Sequence, residues 1–124
     1  MLTEEQLELI ESQNIVALST SSVDGQAHTI FVEVNKADVD SMVITDNHMV
    51  KTLANIEEND KVFVLVYSGN YQTVLNITGT AVYHGSGGLL EYVKNLPAND
   101  GYEPKGAVEV RIANVEEHNS NEDF

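Results

Sequence analysis

The chain has 124 residues, 42% of them hydrophobic, which suits one core and a single domain spanning 1–124. It contains no cysteine, so disulfides, thiolate metal sites and cysteine nucleophiles are excluded. Twenty acidic residues against six basic ones give a formal charge of −14, which opposes nucleic-acid phosphates and anionic membrane surfaces.

The start, MLTEEQLELI, lacks the basic and apolar regions of a secretory signal, and no apolar run approaches the roughly 18 residues of a bilayer span. A cytoplasmic location is the expectation. Within that start, Thr3-Glu4-Glu5-Gln6 has the form of a capping box, and Leu2 and Leu7 are placed as a hydrophobic staple. These residues predict a helix from Glu4 to Gln13 with Leu7, Leu9 and Ile10 inward, ended by Asn14.

Ile15–Thr20 and Ala27–Val34 read as strands around an Asp24-Gly25 turn, the first hairpin. A polar turn over Lys36–Asp40 leads to a third strand, Ser41–Thr45. Met49, Leu53 and Ile56 then recur at helical spacing, predicting a helix over His48–Glu58. Lys61–Tyr67 and Thr73–Tyr83 are strongly β-forming and make a second hairpin. A short helix over Leu89–Leu96, closed by Pro97, precedes a last strand, Ala107–Ile112. The acidic segment 117–124 is expected to be a loose tail. Six strands with short helices predict a mostly β, antiparallel, closed or partly closed barrel.

The segment Ile44–Asn55 carries most of the chemistry. A strand end, a polar turn, Lys51 and Thr52 fall at a helix start, where free N–H groups and the helix dipole favour an anion. The same polar residues also suit ordinary capping, so spacing alone leaves both readings open. The four histidines have no metal-ligand spacing, and no metal is expected. His28 reads as a strand-surface residue, His84 as a turn residue, and His48 as a neighbour of the presumed anion loop. Gly85–Gly88 lacks the lysine and hydroxyl of a P-loop and reads as a connection.

The order of Asp24-Gly25-Gln26-Ala27-His28, a strand ending in Ile44-Thr45-Asp46, then Lys51-Thr52-Leu53-Ala54-Asn55 and a β segment from Val62 resembles the FMN-binding split-barrel family. That family includes pyridoxamine 5′-phosphate oxidase, and the resemblance is strongest to its small stand-alone FMN-binding members. It implies a six-stranded antiparallel split barrel of Greek-key topology with short flanking helices, binding FMN as a homodimer. It further implies that Lys51 and Thr52 hold the FMN phosphate, with Thr45, Asp46, Asn47, Met49 and Val50 beside the ribityl chain and ring. Phe31, Val32 and Glu33 match the strand whose backbone follows the ring edge. Glu33 itself is either solvent-facing or held near the ligand, and alternation puts it on the side of Phe31.

The expected function is electron transfer or flavin-dependent reduction, with a redox partner or small-molecule substrate still to be identified. A single arginine, Arg111, argues against pyridoxamine 5′-phosphate as substrate, since two phosphate esters would need more cations. Ala54, Glu57 and Glu58 make an F420-binding relative the secondary reading. A non-catalytic ligand-binding or structural split-barrel dimer is the alternative of another class. Incompletely covered strand faces at Phe63, Leu65 and Tyr67, or Val74 and Leu75, are the expected dimer surface.

Overall fold

The computed structural model describes residues 1–119. Helix α1 (Glu4–Ser12) opens with the expected capping box, in which Gln6 N donates to Thr3 Oγ1 and Gln6 Oε1 accepts from Thr3 N. Leu2 is buried and, like Leu7, packs with the main core. The helix ends one residue before the expected Gln13, which is its C-cap.

Strands β1 (Ile15–Ser21), β2 (Ala27–Ala37) and β3 (Ser41–Asp46) form one antiparallel meander. After α2 (Lys51–Glu58), β4 (Lys61–Tyr67), β5 (Thr73–His84) and β6 (Gly106–Asn119) form a second. Pairing of β3 with β6 and of β1 with β4 closes the barrel in the order β1-β2-β3-β6-β5-β4. Helix α3 (Gly88–Lys94) and a 3-10 turn, Pro97–Asn99, lie between β5 and β6. No described helix is long and apolar enough to cross a membrane.

Alternation decides the core. Val16 and Leu18 of β1, Val64 and Val66 of β4, Leu75 and Ile77 of β5, and Val108 and Val110 of β6 are fully enclosed in the barrel. Leu75 therefore belongs to the interior, not to a surface patch, because the β5 register turns it inward. Ile56 of α2 joins that core, while α3 packs Leu90 and Val93 outside it, against Val43 and Ala107.

Three boundaries differ from the sequence reading by three residues or more. β2 continues past a register shift between Val34 and Lys36, so Lys36 and Ala37 pair with Val43 and Met42 where a turn was expected. β6 runs to Asn119 and pairs residues 115–119 with β5, because backbone pairing extends a strand whose side chains are polar. The expected loose tail is thus paired at 117–119, and 120–124 lie outside the described residues. α2 begins at Lys51 rather than His48, for a reason that lies in the site itself.

Candidate functional site

Asp46 ends β3 with its side chain wholly buried. One carboxylate oxygen accepts the Met49 N–H at 2.7 Å and the other accepts the Tyr83 hydroxyl at 2.5 Å. Lys105 lies 3.9 Å from the same carboxylate and donates to the Met49 carbonyl at 3.1 Å. These contacts hold residues 47–50 in a turn and delay the helix to Lys51. Gly106 is required beside them, since a Cβ there would stand 2.2 Å from the Tyr83 hydroxyl. Burial first, then the bond to Asp46, pushes the Tyr83 hydroxyl well above the ordinary tyrosine range.

The turn delivers α2 with an open N-terminus. α1 is closed by its own capping box, whereas α2 has no side-chain cap and its N-cap is Val50. Its first N–H groups are therefore available to a ligand, which answers the capping question the sequence left open. Lys51 is exposed at this start, while Thr52 is buried with 2% of its surface accessible.

A cavity of about 650 Å³ lies between this turn and β2, within the range of small-molecule sites. Phe31, Val32, Glu33, Thr45, Asn47, Met49, Val50, Lys51 and Thr52 all line it. Asp46 does not; its carboxylate faces inward and positions the turn instead. β3 pairs with β2 only from Val34 onward, so Ala27–Glu33 is paired to β1 on one side and presents its other backbone edge. This is the split in the barrel, and the cavity lies along it.

A chain of side-chain hydrogen bonds crosses the cavity wall. Glu33 Oε1 accepts from Asn14 at 3.1 Å and Oε2 from Asn35 at 3.4 Å. Asn35 Oδ1 accepts from Thr45 at 2.7 Å, and Thr45 accepts from Asn99 at 3.0 Å. Asn99, buried, also donates to the Val93 carbonyl at 2.7 Å and accepts from Asn47 Nδ2 at 3.5 Å. Asn47 Oδ1 is buried with no hydrogen-bond partner among the described residues. A buried acceptor without a donor is costly, and one lining a cavity suits a ligand O–H or N–H.

His48 lines the cavity as expected, with its ring edge-on to Tyr102 at 6.3 Å. His28 lines it too and is not merely a strand-surface residue, because it stands where β2 has no β3 neighbour. His84, read as a turn residue, ends β5 and bonds Glu109 at 3.0 Å. Sequence reasoning missed Ile30, Asn35, Ala98, Asn99 and Tyr102. The last three lie some fifty residues from the turn they cover, in a Pro97-Ala98-Asn99-Asp100-Gly101-Tyr102 stretch that reads locally as a loop. Among the described residues no group of histidines and carboxylates could hold a metal.

A closed six-stranded barrel, split beside an uncapped helix start, defines a small split barrel. The family description pyridoxamine 5′-phosphate oxidase matches residues 2–119, and the chain belongs to that family. The chain is 33% identical over 119 residues to the uncharacterized protein MJ0282 of Methanocaldococcus jannaschii, covering 92% of this chain and 78% of the relative. HupZ of Group A Streptococcus has the same fold, with a TM-score of 0.84 at 21% identity over 98% of this chain and 100% of that one. An FMN-binding protein of Syntrophomonas wolfei shares the fold at a TM-score of 0.67 and 16% identity, covering 90% and 82% of the two chains.

Proposed function

We propose that this chain binds FMN and serves in electron transfer or as a small flavin-dependent reductase. The observation that carries this reading is the uncapped start of α2 with Lys51 beside it. Among the described residues neither Lys51 nor Lys61 has a carboxylate within ion-pair distance, whereas Lys36, Lys94, Lys105 and Arg111 each have one. Lys51 is also the one lysine or arginine among the described residues lining the cavity. Lys51, Thr52 and the first amides of α2 would hold the phosphate, and Asn47 Oδ1 would accept a ribityl hydroxyl. The open backbone edge of Phe31, Val32 and Glu33 would meet the ring's hydrogen-bonding edge. Bound FMN supplies one- and two-electron chemistry, while the chain orients it and sets its potential. The charge of −14 disfavours added negative charge on the reduced ring, so a low potential is expected.

Family membership and the name of the Syntrophomonas wolfei relative support the choice of FMN. Arg111 lies on β6, 3.5 Å from Glu109 and away from the cavity lining, which speaks against a second phosphate ester as substrate. Glu57 and Glu58 on the exposed side of α2 oppose the longer anionic tail of F420. In register, Ala17 stands between Phe31 and Leu65 on the outside of the barrel, and Phe31 is 72% exposed. This apolar row is the surface on which a homodimer would close, in a cytoplasmic protein.

Titrating flavin-free protein with FMN tests the assignment. Lys51→Ala should weaken binding by roughly 1.5–3 kcal/mol, the worth of one charged hydrogen bond, with the fold intact. Unchanged affinity would move the phosphate elsewhere. Light scattering should report a dimer, and a monomer at micromolar concentration with flavin bound would remove the interface.

A further inference from the structure

The cavity is lined by two groups of opposite charge that have no ionic partner among the described residues. Lys51 is one. Glu33 is the other: among the described residues no cation lies within 4.0 Å of it, although it is half-buried and faces the cavity. Its two amide partners, Asn14 and Asn35, fix the carboxylate without neutralising it. A partly desolvated carboxylate is stabilised far more by a cation than by neutral amides, and each oxygen keeps a lone pair beyond the one bonded.

The carboxylate is also held from behind. Asn35 is locked by Thr45, and Thr45 by the buried Asn99, so Glu33 cannot swing into solvent without breaking a bond in that chain. The same wall ends in the unsatisfied Asn47 Oδ1. Glu33 and Asn47 Oδ1 are therefore the side-chain acceptors this wall holds toward a ligand, beside the rings of His28 and His48.

We propose that Glu33 is the specificity-determining residue of a second subsite, which takes a small organic cation bearing N–H donors, such as an amidinium or a protonated amine. The identity of the first ligand as FMN rests on the function proposed above; recognition of a cation by Glu33 does not. A purely structural role for Glu33, tying the end of α1 to β2 through Asn14, would set stability but would not distinguish ligands by charge.

Benzamidine, benzamide and benzoate are close in size and differ in charge, so their titration into the purified protein at neutral pH isolates that distinction. Calorimetry or NMR should give saturable benzamidine binding about tenfold or more tighter than benzoate. E33Q should weaken benzamidine about tenfold while benzamide stays within about twofold. E33D, which keeps the charge, should retain the preference for benzamidine over benzamide. The control E8Q removes an exposed α1 carboxylate and should change benzamidine affinity by less than about twofold, as expected of a remote screened charge. Equal benzamidine affinity in wild type and E33Q, an equal loss in E8Q, loss of the preference in E33D, or no saturable binding to wild type would overturn the proposal. The FMN titration of Lys51→Ala reports separately on the phosphate, so either reading can fail while the other stands.

Discussion

The barrel interior and the Asp46 carboxylate that anchors the turn before α2 are both buried, yet they hold their surroundings in opposite ways. Inside the barrel, Val16, Leu18, Val64, Val66, Leu75, Ile77, Val108 and Val110 interlock through non-directional packing, and the loss of one side chain leaves the others in contact. At the turn, a single carboxylate receives the Met49 amide and the Tyr83 hydroxyl and lies beside Lys105. Packing spreads its contribution over many residues, whereas directional bonds concentrate it in one. A damaged interior should therefore cost stability without changing the cavity of the molecules that remain folded. A damaged turn should cost both.

The largest expected effects test this directly. Leu75→Ala should lose about 2–5 kcal/mol of unfolding free energy through the cavity it leaves. Asp46→Ala should lose about 3–5 kcal/mol, because the Met49 N–H and the Tyr83 hydroxyl lose their acceptor and Lys105 loses its ion-pair partner together. Chemical denaturation measures both, and FMN titration of the folded fraction separates them: Leu75→Ala should bind like wild type and Asp46→Ala far more weakly. Equal FMN affinity in the two variants would break the comparison.

A smaller effect sharpens it. Tyr83→Phe removes one hydrogen bond to a charged group and should cost about 1.5–3 kcal/mol. Its pH dependence has a definite sign. The folded state holds the Tyr83 proton more tightly than the unfolded state, so this contribution is complete below the ordinary tyrosine value of about 10 and is lost as pH rises through the folded one. Denaturation midpoints of the wild type should fall on the alkaline side of about pH 10, and Tyr83→Phe should lack that component.

The smallest effect belongs to a pair outside both regions. The bond from His84, then the one from Arg111, holds the Glu109 carboxyl below its ordinary range. Its contribution is present above the unfolded carboxylate value of about 4.3 and is lost as pH falls through the folded one. Both partners keep some solvent exposure, so Glu109→Gln should cost only about 0.2–1 kcal/mol, with no change in ligand binding. Denaturation in low and high salt should show the cost shrinking as salt screens the pair.

Local signals in the sequence were dependable where one segment contained the whole cause. The capping box at Thr3-Gln6, the alternation of β4 and β5, and the Asp24-Gly25 turn each appear in the structure within a residue or two of where pattern placed them. The start of α2 was misplaced by three residues because its cause is remote: Asp46 is pinned by Tyr83 and Lys105, and the pinned turn occupies residues that helical spacing alone would give to the helix. Asp46 is among the residues that the family resemblance puts beside the ribityl chain and ring, and its side chain turns away from the cavity to Met49 and Tyr83.

By itself, the sequence determined a mostly β, cysteine-free acidic domain with a lysine and a threonine at one helix start, because periodicity, turn residues and composition act over short stretches. Only the tertiary structure decided that this helix is uncapped, that Asn99 and Tyr102 reach back to wall the cavity, and that Glu33 faces it without a cation among the described residues. Those features depend on strands and loops tens of residues apart meeting when the barrel closes, and the closure leaves β2 without a β3 partner along the stretch where the cavity opens. Hydrogen-bond satisfaction and ionic pairing are properties of neighbours in space, so they became legible only with the fold.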